Sequence, residues 1–421
     1  MKRLKNYRWH GEEMKQFGKM QLGVLGGLLS ATTILSAPVF AQTSVTLYGA
    51  IDNSITYQNS QASLGSNAGG HSNVKMTSGA NTGSRFGLKG SEDLGSGSAA
   101  IFQLESGFNT STGAQQYTNA MFGRQAWVGL TNTQYGTLTF GRQYTSYYTL
   151  AAPYGPVRWL TGFSGAHPGD LDALDTTVRA NNSIVYTTPK LYGFTASGSY
   201  ALGGVAGSVN EGSTWSGALQ YAAGPLGLDA GFMKLNNAAS GGGAFSANST
   251  SNTGGEQAVS AITNGYQTAQ SQQRFVVAAA YTISPTWDVS ATYTNVQYAP
   301  GTNSAFRDEE VFNTAGAVVH WRVSSPIGVA LGYSYTWASK ANGINDAAKY
   351  HQVSAQETYS LSPRTSIYFL QAYERANGKT LGTAGSSSII NATSAIGDGF
   401  NTSPSSSPSQ IALTLGLVHK F

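Results

Sequence analysis

Along most of this chain, apolar and polar side chains alternate in runs of about ten residues, and turn-forming residues break each run. Successive side chains of a strand point to opposite faces, so such a run has one apolar and one polar face. From Ser409 to Phe421 the pattern is almost unbroken: Ile411, Leu413, Leu415, Leu417 and Phe421 share one face, with His419 the polar exception. Ala412, Thr414, Gly416, Val418 and Lys420 share the other. This last strand needs an earlier partner, and closing a sheet supplies one.

The same rhythm predicts sixteen strands, over 44–57, 82–92, 97–108, 121–132, 136–144, 178–188, 192–201, 213–222, 226–235, 273–283, 286–298, 310–322, 327–337, 350–361, 364–375 and 409–421. The links between them alternate in length. Short ones run from Glu92 to Gly97, Asn132 to Gly136, Thr188 to Tyr192, Ala222 to Leu226, Ile283 to Thr286, Val323 to Ile327 and Leu361 to Arg364. Long ones span 58–81, 109–120, 145–177, 202–212, 236–272, 299–309, 338–349 and 376–408. All short turns then lie at one end and all long loops at the other, as in an up-and-down transmembrane barrel. Closure also removes the open sheet edge, whose N–H and C=O groups would be costly in hydrocarbon. Sixteen strands leave a lumen wide enough for water.

Residues 1–41 read differently. Met20 to Leu35 is mostly apolar, follows Lys15 and Lys19, and leads to Ala37-Pro38-Val39-Phe40-Ala41, the layout of a secretory signal cleaved after Ala41. The expected mature chain is 42–421. The whole sequence has 24 Lys and Arg against 20 Asp and Glu, but the leader holds six of the former and two of the latter. Eighteen of each sign remain, so the basic balance belongs to the leader and gives no support to nucleic-acid binding.

There is no cysteine, which removes disulfides and thiolate metal sites. Charged residues are only 10% of the chain, while aromatics reach 11% and glycines number 52. That suits a large β protein with a non-aqueous solvent on one side. No phosphate loop, histidine-rich metal motif or calcium loop occurs, so no cofactor and no metal are expected.

Several segments are specific enough to compare. SVTLYGAID from Ser44 to Asp52, SRFGLKGSEDLGSG from Ser84 to Gly97 and AIFQLESGF from Ala100 to Phe108 resemble general diffusion porins of the Gram-negative, beta-proteobacterial type. FGRQAWVGL from Phe122 to Leu130, FGRQ from Phe140 to Gln143, RANNSIVY from Arg179 to Tyr186 and the terminal Phe421 extend the likeness. The resemblance implies an all-β, sixteen-stranded antiparallel transmembrane β-barrel with an inward-folded third loop. It also implies a homotrimer in the outer membrane with both termini periplasmic, in contact with membrane lipid and lipopolysaccharide. In that family the terminal aromatic serves the outer-membrane assembly machinery, the role expected of Phe421. The implied function is passive diffusion of ions and small hydrophilic solutes; the alternatives are a substrate-specific channel and a surface adhesin.

Face parity nominates the pore residues. Arg85 and Lys89 oppose Phe86 and Leu88, and Gln103 and Glu105 oppose Phe102 and Leu104, so the polar members face inward. Arg179 likewise opposes Ile184 and Tyr186. Arg124 shares parity with Phe122, Ala126 and Val128, yet a charge facing lipid at midplane would cost about 2–4 kcal/mol. A local bulge or a subunit interface would resolve the conflict, and the resemblance implies the inward placement. Arg142 shares parity with Leu138 and Phe140 and reads as a strand-end or subunit-contact residue, the alternative being a residue that reaches the pore. The long link 145–177 holds Asp170, Asp172 and Asp175, which would face Arg85, Arg124 and Arg179 across a narrow opening; the alternative is three solvated loop charges. Tyr144, Tyr147, Tyr148, Tyr154 and Trp159 are expected to pack this loop against the wall; the alternative is a track for sugars or aromatics. Ser164 and His167 are the nearest approach to a hydrolase pair, and no enzyme activity is expected.

Overall fold

In the computed structural model, Ala50 to Gln58 pair antiparallel with Lys420 to Ala412, joining the first barrel strand to the last. The structure describes residues 44–117, 119–160, 162, 164–175, 178–236, 259–382, 387–397 and 404–421. The expected leader and its cleavage point lie outside the described residues.

The barrel strands are β1 (Ser44–Gln61), β2 (Arg85–Gly95), β3 (Ser98–Gly107), β4 (Gln125–Asn132), β5 (Gly136–Tyr144), β6 (Arg179–Thr187), β7 (Phe194–Ala201) and β8 (Thr214–Ala223). The circuit continues with β9 (Leu226–Asn236), β10 (Ser271–Ser284), β11 (Trp287–Ala299), β12 (Glu310–Arg322), β13 (Ile327–Ala338), β14 (Lys349–Ser360), β15 (Thr365–Asn377) and β16 (Ser409–Lys420). Each pairs antiparallel with the next, and β1 pairs with both β2 and β16. All sixteen expected strands are present. The differences lie at the long-loop end. There β1 runs on to Gln61 and pairs with an extra strand, His71–Ser78, while Lys379–Leu381 and Ile389–Asn391 form a separate ribbon. The fourth strand starts at Gln125 instead of 121, because Met121 to Arg124 make no ladder pairs.

Parity sorts the two faces. Odd positions of β1 and β16 expose Val45, Leu47, Ile51, Ile55, Leu413, Leu415 and Leu417, while Asp52, Ser54, Thr56, Gln58, Ala412 and Thr414 are buried on the inner side. Exposed apolar positions recur on every strand except β3, whose side chains are all half-buried or buried. In water such a surface would be an aggregation hazard, whereas in a bilayer it is the solvated face. Aromatic pairs mark both edges of the belt: Trp287 stacks on Trp321 at 5.4 Å near the short turns, and Tyr335 on Trp337 at 5.3 Å near the long loops.

Two features lock the seam. On the outside, Gly49 N–H donates to the Phe421 carbonyl (3.0 Å) and Phe421 N–H to the Gly49 carbonyl (3.1 Å). A Cβ at Gly49 would stand 2.4 Å from the Phe421 ring and 2.6 Å from the Arg85 carbonyl. On the inside, the buried Asp52 carboxylate accepts the Tyr368 hydroxyl and the backbone N–H groups of Asn81 (2.8 Å) and Thr82 (2.6 Å). At the long-loop end, Ile262, Tyr266, Phe306, Ile344 and Leu381 pack with Tyr298, Phe312 and Tyr350 into one apolar cluster that ties four loops together.

The seam geometry yields a direct expectation. Gly49→Ala forces either the Phe421 ring or the β2 backbone to shift, and overpacking of this kind costs about 1–3 kcal/mol. Gly198→Ala, where an added Cβ meets nothing within 4 Å, leaves stability unchanged or slightly raised. Urea unfolding midpoints of the two variants in the same lipid check the contrast.

Candidate functional site

The segment between β5 and β6 is held by the inner wall almost along its length. Thr145 caps a short helix, α1 (Ser146–Ala151), by accepting the Tyr148 N–H at 3.3 Å. Ser146 Oγ lies 2.8 Å from Ser197 Oγ, and Tyr147 N–H donates to Ser216 Oγ at 3.2 Å. Further on, Gln352 Nε2 donates to the Ala166 carbonyl (2.7 Å), Ser354 Oγ to the Ser164 carbonyl (2.7 Å) and Arg274 Nε to the Leu171 carbonyl (3.1 Å). The segment therefore crosses the inner faces of β7 to β14.

Glycines on those strands make the room. An added Cβ would meet Tyr154 at Gly227, Tyr147 at Gly231, His167 at Gly316 and Leu160 at Gly332, all within 3.3 Å. These four glycines, with Ser197, Ser199 and Ser216, form a track of small side chains at inward parity. Sequence reasoning missed it, although the signal was legible: at inward parity β7 and β8 place Ser197, Ser199 and Ser216, and β9, β12 and β13 place these glycines, where β2 and β3 place Arg85, Lys89 and Glu105. Of the loop aromatics, Tyr147, Tyr154 and Trp159 pack against the wall, while Tyr144 and Tyr148 line an open cavity. Tyr147 is fully buried, and Trp159 lies flat on His320 at 3.9 Å.

The three loop carboxylates have different surroundings. Asp170 is fully buried, with Oδ1 accepting the Asp175 N–H at 2.9 Å. Asp172 is also fully buried; its Oδ2 lies 2.5 Å from His167 Nδ1 and accepts from Thr294 Oγ1 at 3.0 Å, while its carbonyl accepts the Tyr147 hydroxyl at 3.0 Å. Burial alone would push the Asp172 carboxyl up, but the adjacent His167 ring and these hydrogen bonds outweigh it and hold the group below its ordinary value. Asp175 alone of the three lines an open cavity of about 530 Å³.

Across that cavity stand Arg85, Glu105 and Arg124, with Tyr144 and Tyr148 beside them. Glu105 is shared: Arg124 Nε lies 2.7 Å from Oε1, Arg85 Nε 3.5 Å from Oε2, and the Tyr48 hydroxyl donates to Oε2 at 3.0 Å. Arg85 keeps 27% of its side chain exposed, whereas Arg124 is buried. Lys89 sits lower on β2, its Nζ 5.4 Å from the centre of the Tyr48 ring. Arg124 reaches Glu105 because it precedes the first paired residue of β4, where alternation does not yet bind it; its N–H donates to the Glu105 carbonyl at 3.1 Å.

Two arginines stand elsewhere. Arg179 is fully buried, donating to the Tyr117 hydroxyl (2.5 Å) and the Tyr144 hydroxyl (2.6 Å), with its guanidinium 4.5 Å from the Tyr144 ring centre. Arg142 donates to the Gly123 carbonyl (2.7 Å) and Asn181 Oδ1 (2.6 Å) at a register shift beside Gly141, whose φ of +131° suits glycine. The opening thus brings together Arg85, Glu105, Arg124 and Asp175, while Arg179, Asp170 and Asp172 are built into the surrounding packing. Among the described residues, no three His, Cys, Asp or Glu side chains stand close enough to hold a metal ion.

Comparison with known proteins agrees with this geometry. A sequence profile described as Gram-negative porin matches residues 28–379. The chain is 42% identical over 164 residues to an outer membrane porin protein of Bordetella pertussis, covering 37% of this chain and 41% of that one. It is 34% identical over 224 residues to outer membrane porin protein 32 of Delftia acidovorans, covering 50% and 60%. It thus spans about half the length of the curated relatives it matches. Among solved structures, an anion-selective porin from Comamonas acidovorans superposes with a TM-score of 0.64 at 22% identity, over 90% of this chain and 100% of that one. The trimer form of an outer membrane protein of Vibrio cholerae gives 0.60 at 16% identity, over 90% and 99%. At these identities the structures speak for the barrel fold.

Because the Asp172 carboxyl is held below its free value, it contributes stability that is complete above the free carboxyl range. That stability is lost as the pH falls from about 4 through the lower folded value. Hydrogen exchange across 146–160 should therefore rise in acid for the native chain. Asp172→Asn should raise it already at neutral pH, since breaking a buried pair costs about 3–5 kcal/mol, and should remove the acid response.

Proposed function

Because the chain belongs to the Gram-negative porin family, we propose that it is a channel for passive diffusion of ions and small hydrophilic solutes across the outer membrane. The observation that carries this reading is the open cavity between the β2–β4 wall and the 145–177 segment, lined by charges of both signs. Fixed opposite charges across a narrow opening set a transverse field that orders water and ions, and side-chain charge there biases which ions pass.

Arg85, Glu105, Arg124 and Asp175 would form the constriction, with Lys89 on the wall below it. Counting Lys89, three cations against two carboxylates would give the path a modest anion preference. Arg179, Asp170 and Asp172 would act behind it, as the struts that keep the 145–177 segment in place. The channel would need neither cofactor nor metal.

The finer expectations join this proposal. Residues 1–41 would be removed on export, the barrels would assemble as a homotrimer among outer-membrane lipid and lipopolysaccharide, and Phe421 would present the last strand to the assembly machinery. The exposed apolar faces of β1, β2, β4 and β16 would be open to neighbouring subunits.

Planar-bilayer recordings test the reading. The native protein should give stable ohmic steps, and folded protein without conductance would refute it. Replacing Arg85 and Lys89 together by serine should shift the reversal potential toward cations, by about twofold in permeability ratio per charge removed at ordinary separations in water. Asp175→Asn should shift it the opposite way; two shifts of the same sign would dismiss the assignment.

A further inference from the structure

Tyr144 ends β5 on the side opposite to the one its place in the run would give it. Phe140, at the same parity, is exposed on the outward face, and strict alternation would send Tyr144 after it. The ladder slips between Gly141 and Gln143, and beyond the slip Tyr144 lines the open cavity instead. A bulge re-aims a side chain in this way at the expense of ladder pairing.

What the re-aimed side chain meets is positive charge. Its phenol oxygen accepts from Arg124 Nη2 at 3.2 Å and from Arg179 Nη2 at 2.6 Å, so one atom holds two guanidiniums. Arg179 is fully buried and has a second acceptor in the Tyr117 hydroxyl, at 2.5 Å. Arg124 spends its other two nitrogens on Glu105 Oε1 (2.7 Å) and Gln116 Oε1 (3.3 Å). Arg85 is held less completely: Nη1 donates to Thr82 Oγ1 and the Gly83 carbonyl, and 27% of the side chain stays exposed. The Tyr144 ring also stacks on Tyr148 of α1, with centres 4.6 Å apart, which joins the arginines to the root of the 145–177 segment.

We infer that Tyr144 is a positioning residue: it decides how far the Arg124 charge stands from the solute path, and through that the ion preference of the opening. Two like charges stay side by side on a shared acceptor only while the acceptor is there. Without the phenol oxygen, Arg124 keeps Glu105 and Gln116, but nothing offsets the push from Arg179. Arg179 itself is fixed by burial and by Tyr117, so Arg124 is the one that yields, toward the cavity it lines. The effect on ion preference rests on the proposed channel; the confinement of Arg124 does not.

Phenylglyoxal, which attacks accessible guanidiniums, tests the confinement when its adducts are mapped by mass spectrometry on the full-length protein folded in lipid. In the native protein Arg85 should react and Arg124 should not. Tyr144→Phe, which keeps the ring and removes the oxygen, should raise Arg124 reactivity about tenfold or more, the worth of one hydrogen bond to a charged group. Arg142 and Arg274 should stay protected, and Tyr144→Gln, which restores an acceptor oxygen without the ring, should return part of the protection to Arg124. Arg124 reacting as fast as Arg85 in the native protein overturns the inference before any variant is made, and so does continued protection in Tyr144→Phe. In planar bilayers Tyr144→Phe should raise the anion-to-cation permeability ratio by up to about twofold, the effect of one whole charge at ordinary separations in water. It should have no effect in an Arg124→Gln background. Equal shifts in both backgrounds overturn the role of Tyr144 in ion preference. A folded chain that conducts nothing, yet shows the contrast in reactivity, counts against the channel and for the confinement of Arg124.

Discussion

Everything in this molecule follows from the need to give each backbone N–H and C=O a partner in a medium that supplies none. Sixteen short strands can meet it only if the first finds the last, and the antiparallel register from Ala50–Lys420 to Gln58–Ala412 is where that happens. The closure is reinforced from both solvents. Outside, the terminal aromatic ring lies against a position that must lack a side chain; inside, Asp52 fastens the seam to the turn at Asn81 and Thr82.

Closure creates a second condition, since a ring of this size encloses more space than its own side chains fill. The 145–177 segment occupies part of it, and its docking is a division of labour among strands. Where the segment crosses β7, β8, β9, β12 and β13, the inner face offers glycine or serine so that a second layer can lie against it, and on β2 and β3 it carries long charged side chains. Two of the carboxylates in the segment are consumed in holding its shape. Only the remaining one shares a cavity with the charged wall.

How much of this could be read from the sequence follows from where the two-residue period applies. Within the ladders it applies strictly, so strand number, strand order and the inward faces of Arg85, Lys89 and Glu105 were legible. At ladder ends it lapses. Arg124 sits one residue before β4 pairs, and Arg142 stands at a register shift, so parity could not decide either. The extra strand His71–Ser78 is short and polar, with a weak alternation that resembles loop. Loop carboxylates carry no period at all: nothing in the spacing of Asp170, Asp172 and Asp175 distinguishes a residue that caps its own turn from one that faces a cavity. The pairing of Asp172 with His167 and Thr294 joins residues 122 apart, which only the folded barrel brings together.

For the proposed channel, the docked segment has a consequence for transport. Because one arc of the wall is covered by a docked segment and the opposite arc is not, the free path runs off the barrel axis, along β2 to β4. In the proposed channel a solute crossing there would pass between the wall of Arg85, Glu105 and Arg124 and the segment that carries Asp175. Its size limit is set by the gap between a wall and a shelf, and not by the diameter of the ring. Barrels of equal strand number can therefore differ widely in what they admit, simply by changing how closely the shelf fits its wall.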